Sequence, residues 1–375
     1  MPSQKLRPAL VAPEALRFTK ARDGDQVAEI EALAAKLEPK VARAVLAYLE
    51  QVKAGVSLDA LIAALQSGDV GKVLALLTGA EASAAAGVAL DELNGTVWAG
   101  GALAATQVNA QIGGVAFAFN RLNPRLITYL QTYSLNLIRQ ITDGTREQIR
   151  ASLISGMEGG KNPIATARDI RGAIGLTEKQ AQAVKNYRKE LETFHQRRTG
   201  GGYNVGAQID RVNGRQVFRP DADGLPKDGI TERRLRDYRY DNKLARAMET
   251  RKPIPPAEID KMVAAYERKF LKHRSQVIAR TETLKALNYG VQDGWRQAIE
   301  GGKVAESLVR RKWVVGKDER LCETCAPVPG LNPKKGVKFD QPFATPKGPV
   351  MLPTLHPQCR CYIVIRVYEP EQLAA

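Results

Sequence analysis

All four cysteines of this chain, and one of its three histidines, fall within forty residues near the C-terminus. They read Cys322-Glu-Thr-Cys325 and, after a long gap, His356-Pro-Gln-Cys359-Arg-Cys361. Two short knuckles joined by a folded-back loop can present four soft ligands in a tetrahedron. That is the arrangement a structural Zn²⁺ requires, with thiolates at ~2.3 Å and imidazole nitrogen at ~2.0–2.1 Å. Cys322 and Cys325 are two residues apart, as are His356 and Cys359, so the most economical tetrad is Cys322, Cys325, His356 and Cys359. Cys361 is then the spare, although it can replace His356 or Cys359. Paired disulfides and reduced, packing cysteines are the alternatives. A catalytic zinc fits less well, since an open site usually has His-rich or carboxylate ligands and a general base nearby.

With 375 residues and 44% hydrophobic content, the chain is long enough for two or three domains with buried cores. Its net charge of +16 calls for an acidic partner, most simply nucleic acid. Residues 1–100 carry 10 basic and 12 acidic side chains, so the excess lies entirely in residues 101–375. There Arg233, Arg234, Arg236 and Arg239 are interleaved with Tyr238 and Tyr240, a pattern suited to phosphate contact and stacking. A solvated helix face with Glu232, Asp237 and Asp241 as ion-pair partners reads equally well. No stretch approaches the ~20 uninterrupted apolar residues of a membrane span. The Ala/Gly-rich segment Val97–Phe119 contains Gln107, Asn109 and Gln111, and reads as a tightly packed helix pair. Met1-Pro-Ser-Gln-Lys5 lacks a signal-peptide core, so no membrane anchor and a cytoplasmic site of synthesis are expected.

Periodicity predicts a mainly α protein: a multi-helix N-terminal region followed by a small zinc-stapled α/β module. Val27, Ile30, Leu33 and Leu37, then Val41, Val45 and Leu49, indicate successive amphipathic helices, with a new one opening at Ser57. Asn94-Gly95 and Gly100-Gly101 are expected to break the pattern. Helices are also expected from Pro124 to Ile141, across Ile149, Leu153 and Met157, from Ile164 to Ile174, and after a Thr177/Gln180 capping box. Residues 196–230 read as a surface excursion, with a hairpin around Asn213-Gly214. A long helix then runs from Ala257 through Trp295, with a break near His273. Val309–Val315 and Tyr362–Tyr368 are the strand-forming runs. The division expected is 1–125, 126–195, 196–256 and 257–375.

Near the end of the long helix, Thr281, Lys285, Asn288, Gln292 and Trp295 recur at helical spacing. They read as a binding face, or as the surface that docks on the C-terminal module with Arg280 and Glu282 in buried ion pairs.

In order, Ile278-Ala-Arg280-Thr281-Glu282, Asn288-Tyr-Gly290, Trp295, Trp313, Asp318-Glu-Arg320-Leu-Cys322-Glu-Thr-Cys325, Gly330, Phe339 and His356-Pro-Gln-Cys359-Arg-Cys361 resemble the minor head, or head morphogenesis, proteins of tailed phages typified by Mu protein F. The resemblance covers about residues 270–365 and thins upstream, where the segment 196–260 departs from compact members. It implies a non-catalytic, low-copy virion protein inside the capsid near the portal, present in the host cytoplasm during assembly. The implied partners are the portal, scaffold or major capsid protein and, by contact during packaging or ejection, double-stranded DNA. The cysteines and His356 carry over as presumptive zinc ligands. The rivals are a zinc-dependent nuclease or transferase using Arg280, Glu282 and Asp318, and a zinc-knuckle DNA-binding regulator.

Overall fold

The computed structural model describes residues 17–18, 22–67, 71–73, 75–76, 84–113, 116–133, 147, 149, 154, 162–196, 238–316 and 322–374. Along the chain the elements are β1 (Arg17–Phe18), α1 (Asp23–Ala54), α2 (Leu58–Gln66), α3 (Ala84–Gln111), β2 (Ile112–Gly113), α4 (Pro163–Ala173), α5 (Glu178–Glu192), α6 (Asp241–Thr250), α7 (Pro256–Glu300), β3 (Val309–Val315), β4 (Val337–Lys338), β5 (Cys361–Val367) and α8 (Pro370–Ala374). Residues 124–133 are also helical. The mainly α fold with a small C-terminal sheet is therefore observed. Among the described residues, no helix is long and apolar enough to cross a membrane.

The expected hairpin around Asn213-Gly214 and the helix across Ile149, Leu153 and Met157 fall largely or wholly outside the described residues. The breaks expected at Asn94-Gly95, at Gly100-Gly101 and near His273 do not occur, and α1 also passes an internal proline. Pro39 removes one helical hydrogen bond at a cost of ~3 kcal/mol. Buried Val41, Val45, Tyr48 and Leu49 on the following turns supply packing that offsets it. α3 runs through Gly95, Gly100 and Gly101, and α7 passes His273 without a break.

The chain divides into two compact units, Met1–Gln51 with Ala82–Gln140 and Arg274–Ala375, and Val52–Glu81 with Ile141–His273. Both units are discontinuous in sequence.

In the second unit α2 packs on α4 and α4 on α5. Capping is local and explicit. Asn162 accepts the Ile164 N–H ahead of Pro163, and Thr177 and Gln180 form the expected capping box. Tyr266 of α7 contacts Tyr187 and Phe270 in tilted and edge-on geometry. The buried Glu267 is neutralised by Lys53.

In the first unit β3 is the centre of a three-stranded antiparallel sheet ordered β4-β3-β5, with Val309 opposite Val367 and Val315 opposite Cys361. One apolar cluster joins α1 (Ile30, Ala34), α3 (Ala104, Val108), α7 (Leu287, Val291, Trp295) and the sheet (Val309, Trp313, Ile363, Ile365). Glycines of both helices bring α3 and α7 together. A Cβ at Gly290 would lie 2.1 Å from the Val97 carbonyl oxygen, and one at Gly100 would lie 2.5 Å from that of Leu287. Glycine at these positions permits a close helix approach that outweighs its poor helix propensity.

β5 is the edge of this sheet, yet Cys361 through Ile365 are all buried. The edge opposite β3 is met by carboxamides. Asn288 donates to the Cys361 carbonyl (3.1 Å) and accepts the Ile363 N–H (3.0 Å). Gln26 takes both the N–H (3.1 Å) and the C=O (3.0 Å) of Ile365. Gln111 donates to the same carbonyl (3.0 Å) and accepts the Val367 N–H (3.2 Å). Three helices thus stand in for a neighbouring strand and leave this buried edge with hydrogen-bond partners.

Candidate metal centre

The two knuckles lie in the chain between β3 and β5. In the first, the N–H groups of Cys325 and Ala326 both return to the Cys322 carbonyl (3.1 and 3.0 Å), and the Cys325 N–H lies 3.3 Å from the Cys322 Sγ. In the second, the Cys359 N–H returns to the His356 carbonyl at 3.1 Å. Gln358 adopts a left-handed φ of 61°, which is unusual for a side chain of its kind and turns the chain tightly between the two donors.

These turns bring the donor atoms together. His356 Nε2 is 2.9 Å from the Cys322 Sγ and 3.2 Å from the Cys325 Sγ, and the Cys325 and Cys359 sulfurs are 3.7 Å apart. A tetrahedral site with ~2.3 Å metal–sulfur bonds has sulfur–sulfur edges of ~3.8 Å and sulfur–nitrogen edges of ~3.6 Å. The sulfur edge fits, and the imidazole would withdraw by a few tenths of an ångström to admit an ion. His356 Nδ1 lies 2.8 Å from the Pro357 carbonyl. A proton on Nδ1 donated there leaves the Nε2 lone pair facing the thiols, the orientation a metal-binding histidine needs.

Cys325 and Cys359 are fully buried and Cys322 is half-buried. Burial, with the hydrogen bond to Cys322 next, pushes the Cys325 thiol up to about 12. The hydrogen bond from Cys361 is the main cause that draws Cys359 down to about 5 against its burial. Cys361 is pushed up by that same bond and by burial. Cys361 stands beside the other donors, as residues two apart along an extended chain share a face. Cys359 precedes β5 instead of lying in it, and the sulfurs of Cys325, Cys359 and Cys361 lie within 4.8 Å of one another. Cys322, Cys325 and His356 form a second group within the same limit, so all five sequence-chosen donors converge in two overlapping triads that share Cys325.

One face of α7 holds the module. The Thr281 Oγ1 accepts the Gln358 N–H at 2.9 Å, Asn288 holds β5, Gln292 accepts from Arg311 at 2.6 Å, and Trp295 is buried in the shared cluster. Arg280 and Glu282 point elsewhere. Arg280 pairs with Glu38 of α1 at 3.1 Å in a partly exposed bridge. Glu282 accepts the Tyr133 hydroxyl, with Lys285 at 4.0 Å. Of the two expected ion pairs, that of Arg280 is with Glu38, while Glu282 is met by the Tyr133 hydroxyl and, more distantly, by Lys285. Arg233, Arg234, Arg236 and Asp318 lie outside the described residues. Arg239 is exposed, 5.9 Å from the Tyr240 ring.

Arg311 was missed by the sequence reading. It is fully buried in β3, donating to the carbonyls of Met351 (2.7 Å) and Gln341 as well as to Gln292, with its guanidinium over Phe343 and Phe339. Burial, and secondarily Arg296, pulls it down to about 10, so it stays charged at neutral pH. It pins the loop between the knuckles, as does Asn332, which bridges Val328 and Ala344. The signal was present, because period-two alternation puts Arg311 on the same face as Val309 and Trp313.

The helix-docked three-stranded module thus carries a cluster of Cys and His donors that could hold a metal ion. Residues 241–364 match the family described as Phage Mu protein F like protein. The match takes in α6 and all of α7, so residues 241–260 lie within the family's extent, outside the departing segment in which the resemblance left them. No curated protein and no solved structure matches the chain.

Proposed function

We propose that this chain is a head morphogenesis protein of a tailed phage: a minor, non-catalytic component at the portal inside the capsid, aiding procapsid assembly and DNA packaging or ejection. The match over residues 241–364 carries this reading. The engagement of Arg280 with Glu38 and of Glu282 with Tyr133 supports a structural role over a catalytic one, since neither carboxylate-bearing contact is directed to the knuckles.

The knuckles fit a structural Zn²⁺ held by four of the five donors, most economically Cys322, Cys325, His356 and Cys359, with Cys361 alongside. A bound ion would cross-link the two ends of the loop between β3 and β5, stabilising a module with a small core of its own. The excess positive charge of residues 101–375 supports contact with packaged DNA or an acidic partner surface.

The test is quantitative mass spectrometry of purified procapsids and mature virions, with the portal protein as internal standard. A fixed low ratio in both particles is expected. Absence from both would overturn the proposal.

A further inference from the structure

We propose that α7 positions the second knuckle for metal capture, with Thr281 as the positioning residue; this rests on the zinc reading above. The donor segment His356–Cys361 is gripped at two points on one helix. The Thr281 hydroxyl donates to the Val277 carbonyl (2.9 Å), which turns its lone pairs toward the Gln358 N–H (2.9 Å). Two turns later Asn288 holds the Cys361 carbonyl and the Ile363 N–H.

The spans agree. Thr281 and Asn288 are separated by a helical rise of ~10 Å. The three-residue step from Gln358 to Cys361 covers ~10 Å when extended. Cys359, one of the ligands, is thus suspended between two fixed points. Gln358 is also the residue forced to positive φ, so an unanchored segment would relax there and carry His356 and Cys359 apart. The grip holds the donors in place before an ion arrives, and leaves less ordering for the ion to impose. Hydrogen bonds of this kind beyond the ligands are typically worth ten- to a hundredfold in metal affinity. The exposed Thr281–Gln358 bond should fall at the low end of that range.

The experiment compares zinc affinity and release rate, by chelator competition, in the full-length wild type and in Thr281→Val, Thr281→Ser and Thr128→Val. Thr128 is an exposed threonine whose hydroxyl also bonds back along its helix, to Pro124, and it serves as the control. Thr281→Val should weaken zinc binding about tenfold and speed release, while Thr281→Ser and Thr128→Val stay within about twofold of wild type. The cobalt-substituted Thr281→Val protein should show shifted ligand-field bands. A merely structural role predicts another pattern, in which Thr281→Val loses stability equally with and without zinc at unchanged affinity, and that result overturns the proposal. Equal affinity in a wild type that binds zinc defeats the positioning role alone. A wild type that binds no zinc defeats the metal reading and this inference together.

Discussion

Replacing Asn288 by alanine should be among the most damaging single changes in the first unit. Asn288 is fully buried, and its carboxamide is the partner of two groups on the covered edge of β5, the Cys361 carbonyl and the Ile363 N–H. Truncation strands both where water has no access, at ~1–3 kcal/mol for each orphaned group. The sum is roughly 2–6 kcal/mol before any cavity contribution. Asn288→Asp should do no better. It keeps an acceptor for Ile363 but sets a second oxygen against the Cys361 carbonyl, in a place where a carboxylate is poorly solvated. Urea unfolding followed by tryptophan fluorescence is suited to the measurement, because Trp98, Trp295 and Trp313 all belong to the first unit. A loss below ~1 kcal/mol in Asn288→Ala would refute the claim that the edge depends on these carboxamides.

Gln26 and Gln111 share the Ile365 carbonyl, so either can be lost with that acceptor still satisfied, and only the double replacement strands it. A double-mutant cycle should therefore show ~1 kcal/mol or more of extra destabilisation, and strict additivity would contradict the shared acceptor. Gly290→Ala drives a Cβ toward the Val97 carbonyl and should lower the first unit's stability by ~1–3 kcal/mol in the same unfolding assay. Gly95→Ala, with nothing within 4 Å, should be neutral or stabilise by up to ~1 kcal/mol. Tyr133 is held well above the ordinary phenol range by burial and then by Glu282, and Tyr129 and Tyr289 are raised chiefly by burial. A phenol whose folded pKa is raised contributes stability that is complete below its unfolded pKa of ~10 and is lost as pH climbs through the folded value. Stability should accordingly fall above about pH 10, with phenolate absorbance of these residues appearing together with unfolding. Independent ionisation in the folded chain would contradict this.

What the sequence could reveal depended on how much chemistry a residue type carries by itself. Cys322, Cys325, His356, Cys359 and Cys361 were legible because few structures need those side chains at that spacing. β3 and β5 were legible from dense runs of β-branched and aromatic residues. The face of α7 was legible as a stripe, although its partners were not, since Thr281 meets Gln358 and Asn288 meets Cys361 only through the folded-back loop. Gln26 and Gln111 could not be read at all. Each resembles any other helical glutamine, and their role exists only once β5, hundreds of residues away, lies against them. Gly100 and Gly101 misled because the same missing Cβ that weakens an isolated helix allows another helix to approach. The break expected near His273 failed for a related reason: local propensity is a small term beside tertiary packing along a long amphipathic helix.

The most direct test of the account is the metal content of the full-length protein, purified without added chelator and kept reduced. Mass-spectrometric metal analysis should find about one zinc per chain, retained in Cys361→Ser and lost in Cys325→Ser, the residue shared by both donor triads. A folded, reduced wild type with less than about a tenth of an equivalent of any metal would contradict it.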